Sequence, residues 1–112
     1  MSKKVKIVFV LPEGLQRELK ERITKDGYDL KGKSRWISEA IENLLLLKTY
    51  VDLIKLNDEM QGFTKTESAS VDTALKNKIN EAVIEVRQKY PTIEGVQSRI
   101  LRTAIVHRLL MD

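Results

Sequence analysis

The segment that most constrains the fold is Lys4 to Pro12, KVKIVFVLP, in which two sets of positions alternate. One set is apolar throughout: Val5, Ile7, Phe9 and Leu11. The other set contains Lys4, Lys6, Val8 and Val10. Regular alternation, rich in β-branched residues and ended by a proline, predicts a strand with one buried face. Because a single strand cannot satisfy its own backbone groups, we expect it to pair with a second strand, from this chain or from another copy.

Length and composition restrict the class of protein. The chain has 112 residues, 42% of them hydrophobic and 32% charged, which is typical of a folded protein of one domain or two very small ones. It has no cysteine and one histidine, so we expect no metal site, and no cofactor is indicated. No apolar run approaches the length of a membrane span, and no secretory signal is evident, which predicts a cytoplasmic protein with no membrane partner. The net charge of +4 modestly favours a polyanionic partner.

Helical periodicity follows the first strand. Apolar residues at Leu15, Leu19 and Ile23 predict an amphipathic helix over residues 13–25, which Gly27 ends in a left-handed C-cap position. Ser34 is a natural N-cap for a second helix, and the apolar pattern predicts that this helix continues past Leu46, as far as Met60 at most. Two further helices are predicted, one over residues 73–89 and one after a loop at residues 92–96.

The segment between the second and third helices allows two interpretations. Residues 61–70 form either a linker or, from Thr64 to Val71, a second and more polar strand. A faint repeat favours the strand. An offset of 64 aligns Ser34-Arg35 with Ser98-Arg99, and an offset of 60 aligns the apolar positions of the first and third helices. The four-residue difference falls in a turn, where insertions cost little. We interpret the chain as a duplicated strand–helix–helix unit.

The first half of the chain contains, in order, a strand, Pro-Glu, an amphipathic helix, a short glycine-containing loop and a helix that opens with Ser-Arg. This order of elements resembles the ribbon-helix-helix family of DNA-binding proteins. The resemblance is good over residues 4–46 and weak over 64–110. It implies a mostly α fold with a short two-stranded antiparallel β-ribbon, and two units in one chain that form a pseudo-dimer. The expected divisions are residues 1–48, a helix extension and linker over 49–63, and a divergent second unit over 64–112. An alternative has one unit per chain, a helical oligomerisation domain, and a ribbon shared between two chains.

The resemblance also implies the residues of a DNA site. The ribbon would lie in the major groove, where each base pair has a distinct donor and acceptor pattern. The side chains expected to face the bases are Lys6, Val8, Val10, Thr66, Ser68 and Ser70. The two valines depart from the polar residues usual in the family, and a strand buried on both faces would also explain them. The unequal strands predict an asymmetric DNA site.

Phosphate contacts are expected at the starts of the second helix of each unit. There the free N–H groups and the helix dipole favour an anion. The candidate residues at these helix starts are Lys33, Ser34, Arg35, Ser98 and Arg99, and Lys4 on the first strand is a further candidate. Such contacts would set orientation and salt dependence without reading the sequence.

Three classes of function are compared. The first is sequence-specific binding of double-stranded DNA, as a transcriptional regulator such as a repressor, or as an accessory factor in plasmid transfer or partition. The second is a protein–protein module, antitoxin-like or oligomerising, in which the apolar helix around residues 44–54 docks a partner or another copy of the chain. The third, an enzyme acting on a small-molecule substrate, is not expected, because the chain has no phosphate-binding loop, metal cluster or nucleophile motif.

Overall fold

The computed structural model describes residues 3–29, 32–57 and 63–111. In these ranges the chain is mostly helical, with a two-stranded antiparallel sheet, as predicted. In chain order the elements are β1 (Lys4–Pro12), α1 (Glu13–Lys25), α2 (Lys33–Leu45), α3 (Tyr50–Leu56), β2 (Thr64–Asp72), α4 (Thr73–Lys89) and α5 (Val96–Leu110).

The partner of β1 comes from the same chain. β1 and β2 pair over their full length, from Lys4 opposite Asp72 to Pro12 opposite Thr64. On the inner face Ile7, Phe9 and Leu11 are buried, as are Ala69 and Val71 from β2. The segment from residue 64 to 71 is therefore a strand and not a linker. Its polar outer positions are compatible with a sheet that has only one covered face.

The predicted ends of α1 and α4 are confirmed. α1 covers Glu13–Lys25, and Gly27 follows it with a φ of 84°, a conformation that costs a glycine little. α4 covers Thr73–Lys89, and the Asp72 side chain accepts a 2.8 Å hydrogen bond from the Leu75 N–H at its first turn. The predicted N-cap of α2 is wrong by two residues, because α2 starts at Lys33 with Gly32, and not Ser34, as its N-cap. The Ser34 hydroxyl bonds to the sheet instead.

The long second helix predicted from the apolar run is not observed. α2 ends at Leu45, a turn follows over residues 46–49, and α3 begins at Tyr50. A straight helix buries one stripe of side chains, whereas the four consecutive leucines from residue 44 to 47 surround the axis. The turn leaves Leu46 81% exposed and directs Ile54 of α3 into the core, where α3 packs on α4 and α5. Met60 lies outside the described residues.

Both halves of the chain contribute to one hydrophobic core. The inner face of the sheet, the apolar stripes of α1 and α4, and the buried sides of α2 and α5 form a single cluster. Trp36 lies within it with no exposed surface, and its indole N–H donates a 2.9 Å hydrogen bond to Asp26. Because burial of one large apolar side chain contributes about 1.5–3 kcal/mol, this shared core holds the sheet against the helices. The opposite face of the sheet is left to solvent.

Candidate nucleic-acid interface

The solvent-facing side of the sheet brings together all six residues predicted to contact bases. They form three cross-strand rows: Lys6 with Ser70, Val8 with Ser68, and Val10 with Thr66. Lys6, Thr66 and Ser70 are exposed, whereas Val10 and Ser68 are half-buried. Val8 is 51% exposed at the centre of the face. A strand buried on both faces would cover Val8, so that alternative does not describe this chain.

Two serine hydroxyls join the helix starts to the two edges of the sheet. The Ser34 Oγ, in the first turn of α2, accepts a 2.9 Å hydrogen bond from the Ser70 N–H on the edge of β2. The Ser98 Oγ, in the first turn of α5, accepts a 3.4 Å bond from the Val10 N–H on the edge of β1. An edge N–H has no partner in a two-stranded ladder, and these side chains satisfy it. Each bond therefore fixes one helix start beside the outward face.

These contacts occur in matched pairs along the chain. The two serines are 64 residues apart, and the two amides that they bind are 60 residues apart, which are the offsets found in the sequence. A second matched pair joins the ends of the strands. The Glu13 N–H donates to the Phe63 carbonyl at 2.8 Å, and the Thr73 N–H donates to the Lys3 carbonyl at 3.1 Å. In the central row, Val8 and Ser68 are themselves 60 residues apart.

The cationic side chains predicted to contact phosphates differ in their solvent exposure and in their contacts within the chain. Lys33 is engaged with Glu67 of β2, with an Nζ–Oε1 distance of 3.1 Å. The Arg35 guanidinium lies 4.5 Å from the centre of the Tyr28 ring, which orients it by a cation–π contact while the residue stays exposed. Arg99 is half-buried at the start of α5, and Lys4 is exposed at the end of β1, opposite Asp72. Arg35 and Lys4 are thus the more accessible of these cations.

Two residues at the β1 edge were not anticipated from the sequence. The Gln97 side-chain amide donates to the Val8 carbonyl at 3.4 Å, and Arg102 donates to the Val10 carbonyl at 3.5 Å. Arg102 is buried, and this burial, together with the positive charge of Arg99, lowers the pKa of its guanidinium. Both lie in a helix where polar residues are commonplace, so no sequence signal distinguishes them from surface side chains.

The apolar segment considered for partner docking is buried at its two ends and half-buried or exposed between them. Leu44 and Ile54 have no exposed surface and belong to the core of the chain, whereas Leu46 in the turn between them is exposed. Within the described ranges, no group of three or more histidine, cysteine, aspartate or glutamate side chains is placed to hold a metal ion. None of the helices in the described part of the chain combines the length and apolar character required to cross a membrane.

Comparisons of the chain with protein-family models, curated proteins and solved structures found no match.

Proposed function

We propose that the chain binds double-stranded DNA sequence-specifically, as a tandem ribbon-helix-helix protein whose two-stranded sheet enters the major groove. Residues 1–48 would form one unit and residues 64–112 the second, with 49–63 between them. A role as a transcriptional regulator, or as an accessory factor in plasmid transfer or partition, follows from this activity. The observation that carries the proposal is the solvent-facing side of the sheet, flanked at both edges by a helix start.

The matched hydrogen bonds support an arrangement of two related units. A twofold axis through the central row, Val8 and Ser68, would exchange β1 with β2 and the start of α2 with that of α5. Under this operation the Ser34 bond to Ser70 becomes the Ser98 bond to Val10. The same operation exchanges the two bonds that join the strand ends. This is the relation that a symmetric dimer of strand–helix–helix chains would have, and here a single chain supplies both units.

The outward face has side-chain chemistry that suits major-groove recognition. A two-stranded ribbon fits the major groove of B-DNA, and alternate side chains then meet the base edges. Lysine, serine and threonine can hydrogen-bond to bases, and valine can contact the thymine methyl group. DNA binding would also explain why the apolar side chain of Val8 is exposed in the free protein, because binding would remove its surface from water.

The two helix starts would meet the DNA backbone on either side of the groove. Their first-turn N–H groups and dipoles favour phosphate oxygens. Arg35 would add an exposed positive charge beside α2, and Arg99 would add a half-buried one beside α5. Because these contacts release counterions, binding should weaken steeply as salt increases.

The test is duplex binding across a salt series, with a sequence selected from a random library as the probe. Lys6→Ala should weaken binding to that duplex about tenfold, within the range for one base contact. Arg35→Ala should lower the salt slope by about 0.9, the value for one phosphate contact. Lys78→Ala, an exposed lysine on α4, is the control for loss of charge. If no duplex binds at low salt, or if the control weakens binding as much as Lys6→Ala does, the proposal fails.

A further inference from the structure

We infer that the DNA site has a fixed direction, with guanine at the end of the sheet that carries Lys6 and thymine from the centre to the end that carries Val10. This inference rests on the proposed function, since it names the base chemistry that the same face would select.

The outward face is chemically graded from one end to the other. Its first row holds an exposed lysine opposite a serine, Lys6 and Ser70. The central row holds Val8 opposite Ser68, and the third row holds Val10 opposite Thr66. Each row thus keeps one hydroxyl group from β2, while the β1 side chain changes from lysine to valine.

The positive charge on this face is confined to the same end. The outward positions of β1 begin with Lys4 and Lys6 and continue as Val8, Val10 and Pro12. The outward positions of β2 hold no lysine or arginine, since they are threonine, serine and, opposite Lys4, Asp72. The sheet therefore presents its cations to one end of the groove.

The twofold relation between the strands does not extend to these side chains. The position related to Lys6 by the offset of 60 is Thr66, and the position related to Val10 is Ser70. A symmetric ribbon would carry lysine in both outer rows and would select a palindrome. In this chain one outer row can donate to a base from a charged group, and the other cannot.

The preferred bases follow from the groups in each row. The Lys6 ammonium donates most favourably to guanine, which presents O6 and N7 as acceptors in the major groove. The methyl group of thymine can make apolar contact with Val8, Val10 and the methyl group of Thr66. The serine hydroxyl groups can hydrogen-bond to several different bases and therefore discriminate little between them. The side chains favour a guanine-to-thymine order, and the reversed duplex would place each row against the wrong groups.

The experiment is selection of duplexes by the full chain from a library with a randomised core. We expect a non-palindromic motif with guanine on one side, and about tenfold weaker binding when that guanine is replaced. Lys6→Ala should lose this preference while the thymine positions stay selected. A palindromic motif would overturn the inference and leave the proposed function intact. Failure to bind any duplex would remove the proposed function and the inference with it.

A symmetrising variant tests the direction independently. Thr66→Lys places a lysine at the position related to Lys6, and the selected motif should gain guanine at its other end. Asn80→Lys, on the exposed side of α4, adds the same charge away from the sheet and should leave the motif unchanged. If Thr66→Lys, like Asn80→Lys, leaves the selected motif unchanged, then residue 66 does not contact bases and the inference is wrong.

Discussion

The ion pair between Lys33 and Glu67 joins the start of α2 to β2, and its two partners should respond unequally to substitution. Glu67 lies on the inner side of the sheet, opposite Phe9, and its side chain is only 11% exposed, whereas that of Lys33 is 33% exposed. The Glu67 carboxylate also accepts a 3.3 Å hydrogen bond from Gln16. Lys33→Met leaves a nearly buried carboxylate without its cation. Glu67→Gln leaves a lysine that can turn to water.

The magnitudes follow from this difference in burial. Exposed ion pairs contribute up to about 1 kcal/mol, and breaking a buried pair costs about 3–5 kcal/mol. We expect Lys33→Met to lower the free energy of unfolding by about 2 kcal/mol, between these limits, and Glu67→Gln to lower it by about 1 kcal/mol. The double variant should lose about 1.5 kcal/mol, which gives a coupling energy of about 1.5 kcal/mol between the two side chains.

Urea unfolding of the four proteins measures this cycle. A loss of about 2 kcal/mol shifts the midpoint by about 1 M for a chain of this size, with the slope unchanged. The reasoning is refuted if the two single losses add to within about 0.3 kcal/mol in the double variant, or if Glu67→Gln costs more than Lys33→Met.

Three other predictions concern stability. Ser34→Ala and Ser98→Ala should each lower the free energy of unfolding by about 0.5–1.5 kcal/mol, with the larger loss for Ser34, whose bond to the strand is shorter; urea unfolding will test the order. Phe9→Ala should cost about 3–5 kcal/mol, because the ring is buried in the shared core, and a thermal midpoint close to wild type would contradict this. The hydrogen bond from Lys89 lowers the pKa of Asp52, so this carboxylate contributes stability above its unfolded pKa and loses that contribution as the pH falls below about 4. Asp52→Asn should make unfolding less sensitive to acid, and an unchanged acid dependence would be evidence against the contact.

Helices and strands could be predicted from the sequence where the hydrophobic pattern is regular and a proline marks the end. β1 has strict alternation and a terminal proline, and α4 has one apolar stripe ended before Pro91. The sequence of β2 does not decide between strand and linker, because the only apolar residues on its inner face are Ala69 and Val71 and local propensity is weak. Its strand state depends on pairing with β1, which is distant in sequence.

The break after α2 and the edge contacts of the sheet depend on tertiary structure. Four consecutive leucines permit a continuous helix locally, and the shape of the core selects the turn at Leu46. For the candidate site, the three outward residues of β1 follow from alternation together with the family resemblance, and those of β2 follow from the repeat offset of 60. Gln97 and Arg102 could not be assigned in this way, because their role arises where α5 approaches the edge of β1.

The pairing of β1 with β2 inside one chain has a consequence for protein that is present in few copies. A sheet shared between two chains dissociates on dilution, so its assembled fraction falls with protein concentration. Here the association is unimolecular, and the fraction of molecules with a complete sheet is the same at nanomolar and at micromolar concentration. A cell could therefore keep this protein very scarce without losing the assembled form.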